Sequence, residues 1–506
     1  MQKSLLCFAI CAFTFTLLRG QTYFSKLLET PFPYIGAVLG GIEAPDSGFI
    51  LMHTSFDVFQ DTNKINIVKI DKTGQIVWTK NYGAAGTAHD QLEIIRTKDS
   101  CYVFCGGEWK NDVYSAFLFK INETGDSIWM KTYNDSFYFG FFNKIVETSG
   151  KDLICIGGFD KTPPNGSSPW RQIYVVKTDK DGNMQWQKNY GSGDLNDNGR
   201  DIVETPDKGF ICSGYVGYPY VTSDFFVRGL AMKIDSLGQV KWIKNYPSNE
   251  YHQAFIEINQ TLDGNYLLTG ESTNNRYVLM SDPNGTGGIL LKIDAEGNTL
   301  WFKRYNDEIN DAGCYDFVEL PDSSIVTIGI RYQLKERATL VKFNSQGDII
   351  WTQPYLYNTE FETNENLFKV IHTKDNGFLM TGYAHNPMLD TTGFSIGKGW
   401  ILKVDSLGCP TPMCVTSTID PIEETNKTIK IYPNPFRSEF QIELPTEKKY
   451  NKINVYDVAG RLVFSLDLTI NEYQLTIDGS KMDNGIYFIE FISDDQRISK
   501  KIIKIE

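Results

Sequence analysis

The chain has 506 residues, 13% of them aromatic, with 43 glycines and a formal charge of −13. No basic stripe or tail accompanies that acidic balance, so the footprint that phosphate backbones require is missing and no nucleic-acid partner is expected. Abundant glycine and aromatic residues, without long Ala/Leu/Glu/Lys stretches, suit short strands joined by tight turns and exclude a largely helical protein.

Residues 1–20 read as a secretory signal peptide. Lys3 supplies the positive start, Leu5 to Leu18 form a short apolar run, and Gly20 is a small residue before Gln21. The run is shorter than the roughly 20 residues of a spanning helix, and no later segment is long and apolar enough to span, so no transmembrane segment is expected in the mature chain. Cys7 and Cys11 sit inside the apolar run, not after it, which disfavours a lipoprotein.

From residue 21 to 408 one pattern recurs: Lys, an apolar residue, Asp or Asn, two residues, Gly. It starts at Lys69, Lys120, Lys177, Lys233, Lys292, Lys342 and Lys403, at intervals of 50 to 61 residues. In six copies a Trp follows four residues after the Gly: Trp78, Trp129, Trp186, Trp242, Trp301 and Trp351. Asp or Asn can start a turn by accepting a hydrogen bond two residues on, and Gly takes the positive φ that a β-carbon resists. The step therefore predicts a hairpin in which Ile70 faces Ile76 and Val68 faces Trp78; the equivalent register puts Phe119 and Ile121 with Trp129, and Met232 and Ile234 with Trp242. A second pattern, such as Asp207-Lys208-Gly209-Phe210 with Gly214 or Asp375-Asn376-Gly377-Phe378 with Gly382, predicts two more strands per repeat.

Four-stranded sheets repeated radially make a β-propeller. The seventh copy stops at Asp405-Ser406-Leu407-Gly408 without its Trp strand, while Phe24-Ser25-Lys26-Leu27-Leu28 matches the spacing of Trp78-Thr79-Lys80-Asn81-Tyr82. The expectation is an all-β chain: a seven-bladed β-propeller over 21–408, closed by its N-terminal strand, with a small β-sandwich after it. Lys72-Thr73-Gly74-Gln75-Ile76-Val77-Trp78 resembles the tryptophan-repeat propellers, including the PQQ-dependent dehydrogenases and their non-enzymatic relatives, although the Asp-to-Gly spacing is one residue shorter than theirs. That resemblance is specific for architecture alone. Such dehydrogenases usually hold an adjacent Cys-Cys pair over their cofactor, and this chain has none.

Three features break the repeat. Asp194-Leu195-Asn196-Asp197-Asn198-Gly199 has the alternating oxygen spacing of a calcium loop, with Asp194, Asn196 and Asn198 as candidate ligands, but Thr205 stands where a bidentate acid is needed. The alternative is an Asn/Gly-rich turn, and no other cofactor is expected. Insertions at Lys161 to Arg171 and Asn274 to Gly288 fall between second and third strands, hence on one rim, where loops commonly carry binding. Cys101, Cys105, Cys155, Cys212 and Cys314 read as small buried hydrophobes.

A polar linker occupies 409–428. Cys409 and Cys414 bracket Pro-Thr-Pro-Met there and could form a local disulfide in an exported protein. Residues 429–506 then carry about seven short strands, which predict a β-sandwich. Tyr432-Pro433-Asn434-Pro435, Val455-Tyr456-Asp457 with Gly460-Arg461, Gly485-Ile486-Tyr487 and a last strand with Lys500, Lys501 and Lys504 resemble the C-terminal sorting domain of the type IX secretion system. The resemblance implies recognition by that machinery and export to the cell surface or release, with Pro433, Asn434, Pro435, Gly460, Arg461, Gly485, Tyr487, Lys501 and Lys504 as the signal residues.

No catalytic constellation is legible. His53, His89, His252, His372 and His385 lack metal spacing, there is no Gly-x-Ser-x-Gly, and most carboxylates sit in repeated turns. The expected function is a surface or released binding protein for a glycan, a polymer or an envelope protein. The alternatives are a secreted enzyme acting on polysaccharide and a structural envelope component.

Overall fold

The computed structural model describes residues 22–28, 36–57, 62–83, 87–110, 113–133, 139–161, 170–191, 196–219, 225–246, 252–273, 286–305, 313–331, 337–357, 365–385, 397–410, 429–444, 450–457, 462–468, 474–492 and 497–505. These contain strands and turns and no helix. Two compact units divide at Ile419/Asp420. Residues 1–20, expected to be a signal peptide, fall outside the described residues.

In the first unit the described strands form seven four-stranded antiparallel sheets. Six are continuous in sequence, at 36–82, 87–133, 139–190, 198–246, 252–305 and 316–355. The seventh combines Glu365–His372, Phe378–His385 and Gly397–Val404 with the N-terminal strand Phe24–Leu27. In each continuous sheet, tight turns join the first strand to the second and the third to the fourth, so both turns lie at one end. The other connections within and between these six sheets start and finish at strand ends on the opposite side.

The turns follow the expected chemistry. Asp71 Oδ1 accepts from the amides of Thr73 and Gln75, at 2.8 and 2.9 Å, and Gly74 has φ 76°. The two sequence patterns are also joined by an ion pair that neither reveals alone. The repeat lysine reaches the aspartate of the other tight turn in its own sheet: Lys69 to Asp46, Lys120 to Asp99, Lys177 to Asp152, Lys233 to Asp207, Lys292 to Asp263, Lys342 to Asp322 and Lys403 to Asp375, at 2.6 to 3.5 Å. At Asp207, bonds from Lys233 and Thr205 pull the carboxyl down to about 2.

The hairpin register differs from the expected one. Ile70 does pair with Ile76, but Lys69, not Val68, pairs with Trp78. The same shift pairs Lys120 with Trp129 and Lys233 with Trp242. One extra residue, Val77 in the first sheet, sits in a bulge beside the turn and is 58% exposed. A bulge adds a residue to one strand only, and an alternation pattern does not reveal it.

The tryptophans act between sheets. A β-carbon on Gly125 would lie 2.8 Å from the Trp78 ring, and one on Gly182, Gly238, Gly297, Gly347 or Gly408 would lie 2.9 to 3.2 Å from the Trp of the preceding sheet. Each of these glycines has φ between 75° and 81°. Four residues after the Trp, a Tyr hydroxyl donates to the carbonyl of the same glycine, as at Tyr133 to Gly182 (2.8 Å), Tyr190 to Gly238 (2.8 Å), Tyr246 to Gly297 (2.9 Å) and Tyr355 to Gly408 (2.7 Å). Phe24 takes the Trp role against Gly74, 3.0 Å from a β-carbon placed there, and Lys26 Nζ donates to the Gly74 carbonyl at 3.0 Å. An apolar core of Phe24, Leu28, Val38, Phe49, Leu51, Val68, Ile70, Leu379 and Ile401 fills the junction of the seventh sheet with the first, like the cores between the other neighbours.

The second unit has a three-stranded sheet, Lys430–Tyr432, Glu439–Glu443 and Gln474–Asp478, and a four-stranded one, Leu462–Asp467, Lys452–Asp457, Gly485–Ile492 and Arg497–Lys504. Phe440 and Ile442 from the first and Ile453, Val455, Ile489, Phe491 and Ile502 from the second share one core.

Phe24→Ala removes the aromatic that seals the last junction. It is expected to destabilise the first unit by about 3 kcal/mol, read as a lower melting temperature. Val77→Ala, in the exposed bulge, should change stability by no more than about 0.5 kcal/mol.

Candidate functional site

The innermost strands bring together six charged side chains that no local motif marks. Glu93, Lys144, Asp201, Glu257, Asp316 and Lys369 come from the second to seventh sheets, one from each, and each pairs with the residue just before a glycine in the second strand: Cys105, Ile156, Ser213, Thr269, Ile328 and Thr381. The first sheet has Gly40 at this position, paired with Met52. In five of the six charged strands a register shift directly precedes the charged residue.

The three shortest ion pairs, Lys144–Glu257, Lys369–Glu93 and Lys369–Glu257, join sheets that are not neighbours. Lys144 lies 2.6 Å from Glu257, 3.6 Å from Glu93 and 3.8 Å from Asp201. Lys369 lies 2.7 Å from Glu93, 2.9 Å from Glu257 and 3.8 Å from Asp316. Backbone amides complete the set: Ile258 donates to Asp201 at 2.8 Å and Val370 to Asp316 at 2.8 Å. All four carboxylates are buried.

Four acids face two lysines, so the protons are unequally held. Burial opposes the charge on Glu257, but Lys144 and Lys369 hold its carboxyl well below the usual range, and Glu93 is lowered in the same way. Burial drives Asp201 well above it; Lys144 pulls against that and Glu257 adds to it. Burial pushes Asp316 up to about 6. Burial also opposes the charge on both lysines, yet the surrounding acids keep them firmly protonated. The arrangement crosslinks the sheets near their common axis.

On the connection side of this cluster lies a second set. Glu271 is buried, its Oε2 accepts from the Tyr315 hydroxyl at 3.3 Å, and its Oε1 has no hydrogen-bond partner among the described residues. Burial pushes its carboxyl up while Arg200 and Tyr315 oppose the shift. Phe368 stands between Tyr315 and Tyr383, with ring centroids 6.5 and 5.8 Å away. A buried acid beside a phenol and a guanidinium can exchange a proton or hold a hydroxyl group.

The residues singled out from sequence are distributed differently. Asp194 lies outside the described residues. Asn196 Oδ1 accepts from the Arg171 amide at 3.1 Å, and Asn198 Oδ1 from Asn143 Nδ2 at 3.1 Å. No group of three or more His, Cys, Asp or Glu able to hold a metal occurs among the described residues. Cys409 is buried and disulfide-bonded; Cys414 lies outside the described residues. Cys101, Cys105, Cys155, Cys212 and Cys314 are free thiols, all buried except the half-buried Cys101.

In the second unit, Asn434 ties the Pro433-Asn434-Pro435 segment to the last strand. Its Nδ2 donates to the Lys501 carbonyl, and its Oδ1 accepts from the Ile503 amide, each at 2.9 Å. Lys504 Nζ lies 5.6 Å from the Phe436 ring centroid, and the Tyr487 hydroxyl donates to the Asp483 carbonyl at 2.8 Å. Gly485 has φ 159°. Gly460 and Arg461 fall outside the described residues.

Residues 430–506 match the secretion system C-terminal sorting domain. The protein is thus a substrate of type IX secretion, carried to the cell surface or released. No curated protein matches the chain. Two solved structures of a PL25 ulvan lyase, a polysaccharide lyase, are similar with TM-score 0.50, one of them bound to -[GlcA(1-4)Rha3S]-. They are 10% and 9% identical, and each match covers 75% of this chain and 96% of theirs. A Dyadobacter fermentans protein of unknown function is 13% identical, with TM-score 0.45 over 64% of this chain and 96% of its own. At such identities the likeness concerns fold alone, and that fold is propeller-like.

Two expectations follow. Glu257→Gln takes the closest shared partner from two half-buried lysines and should cost about 3–5 kcal/mol at pH 7. Glu257 has a lowered folded pKa, so its contribution is present above its unfolded value and fades on acidification; the deficit should shrink below roughly pH 4.5. Asp316 has the opposite sign. Its raised folded pKa weakens the fold as pH rises from about 4 to about 6, so Asp316→Asn should stabilise on the order of 1–3 kcal/mol at pH 7 and be neutral below about pH 4. Calorimetric melting across pH 4–8 reads both. Separately, deleting residues 430–506 should leave the protein in the periplasm, as followed by cell fractionation and whole-cell labelling.

Proposed function

We propose that this is an exported seven-bladed β-propeller, closed by its N-terminal strand and followed by a β-sandwich sorting domain. It binds a glycan or polymer at the rim formed by the longer connections. An N-terminal signal peptide takes it across the inner membrane, and a Cys409–Cys414 disulfide closes the end of the propeller.

The asymmetry between the two ends of the sheets carries this reading. At the turn end, seven lysine–aspartate pairs and the aromatic–glycine contacts occupy the repeated polar groups in holding the scaffold. At the other end the sequence departs from the repeat, and Glu271, Arg200, Tyr315, Phe368 and Tyr383 gather there without a part in that scaffold. Aromatic rings with a few convergent polar groups are the usual lining of a ligand site.

A polysaccharide-degrading enzyme is the second reading. The raised carboxyl of Glu271 beside the Tyr315 hydroxyl favours it, and so does the likeness to a polysaccharide lyase. Purified full-length protein should bind glycans on an array, with competition by free oligosaccharide. Absence of binding to every glycan would overturn the proposal. Turnover of a bound polysaccharide, abolished in Glu271→Gln, would decide for the enzyme.

A further inference from the structure

The second and third sheets carry an aromatic platform that the repeat does not require. Trp109 and Phe139 are each 37% exposed, although both belong to strands. Trp109 stands near the end of Tyr102–Lys110 and Phe139 at the start of Phe139–Glu147, so both lie at the connection end of their sheets. Their rings meet edge to face, with centroids 5.1 Å apart. Tyr114 packs beneath both, at 5.4 Å from Trp109 and 6.2 Å from Phe139. Phe141 continues the layer 6.3 Å from Tyr114, and the Arg171 guanidinium lies over Phe141 at 4.9 Å.

Arg171 forms a fork with Asp160. Its Nε and Nη2 donate to the two carboxylate oxygens at 2.7 and 3.1 Å. The fork is reachable from solvent, with side-chain exposures of 34% and 18%. Register places it beside the platform, because Asp160 pairs with Phe139 on one side and Arg171 on the other.

Two glycines make room for this layer. A β-carbon at Gly107 would lie 2.3 Å from the Tyr114 ring. One at Gly158 would lie 2.6 Å from the Phe141 ring and 2.8 Å from Arg171 Cδ. The corresponding positions of the fourth to seventh sheets hold Tyr215, Glu271, Ile330 and Tyr383. The small residues thus occur where the aromatic layer and the guanidinium need the space.

We propose that Trp109 and Phe139, with the Arg171–Asp160 fork, form a subsite for a neutral sugar ring. This rests on the glycan-binding reading above and names the ligand class. A pyranose presents an apolar C–H face and an edge of hydroxyls. The exposed rings take the face; the fork offers N–H donors and carboxylate acceptors to the edge. Arg171 and Asp160 cancel each other's charge, so the subsite has no net attraction for an anionic sugar. Two exposed rings make a patch far smaller than a stable protein interface requires.

The test uses the full-length protein with soluble β-glucan, xylan, mannan and maltooligosaccharides, and polygalacturonate and heparin as charged probes, by calorimetric titration. At least one neutral probe should bind more tightly than either charged one. Trp109→Ala, Phe139→Ala and Arg171→Met should each weaken it about tenfold, near 1.4 kcal/mol, with wild-type melting; Trp109→Phe should restore most of the affinity. Neutral-glycan binding that survives all three substitutions would overturn the subsite while leaving the wider reading intact. A preference for the charged probes would overturn its chemistry. Binding of no saccharide would overturn both.

Discussion

The first unit depends on one contact made again and again: an aromatic ring laid on a left-handed glycine of the next sheet. The ring needs the glycine twice over. A side chain there would strain the turn, and its first carbon would collide with the ring. Trp78 on Gly125 and Phe24 on Gly74 are the same contact, although Phe24 belongs to the seventh sheet, whose other three strands come from residues 365–404. A tyrosine near each Trp, and Lys26 near Phe24, bonds the same turn, so neighbouring sheets are locked at their outer strands as well as packed through apolar cores.

The axial charges act on the opposite edge of six of the seven sheets. Lys144 and Lys369 reach across to Glu257 and Glu93, and their lengths let two cations serve four acids. Buried ion pairs contribute little net stability but are costly to break singly, because the remaining charge cannot reach water. The outer contacts hold sheets in sequence, and the inner cluster relates sheets that never touch along their strands. A scaffold fixed at both edges leaves the connection end free to vary, as the platform at Trp109 and the Glu271 set do.

Much of this was legible. The spacing of Lys69, Asp71, Gly74 and Trp78 identified the turns and the repeat, and the incomplete copy at Asp405 pointed to the strand at Phe24, which does pair with the last sheet. The bulge at Val77 escaped because its extra residue is apolar and leaves the alternation looking intact. The axial cluster escaped for another reason. Its members are Glu, Lys, Asp, Glu, Asp and Lys, one to a repeat, so neither residue type nor charge recurs. The available signal was a charged residue directly before an apolar one in each of these first strands, at Ile94, Ile145, Ile202, Ile258, Phe317 and Val370. The tail was read by its short motifs, and Asn434 shows why they cluster: its side chain holds the proline segment against the last strand.

Sequence alone determined what acts over a few residues: turns, strand periods, the order of repeats and the sorting tail. These depend on local backbone preference and side-chain alternation. Tertiary structure decided which charges meet. Glu257 and Lys144 are 113 residues apart and from sheets that do not adjoin, and their 2.6 Å contact exists only because the sheets converge on one axis. The same convergence sets the protonation of Asp201 and Asp316. It also decided that Trp109, Phe139 and Arg171, drawn from two sheets, stand side by side.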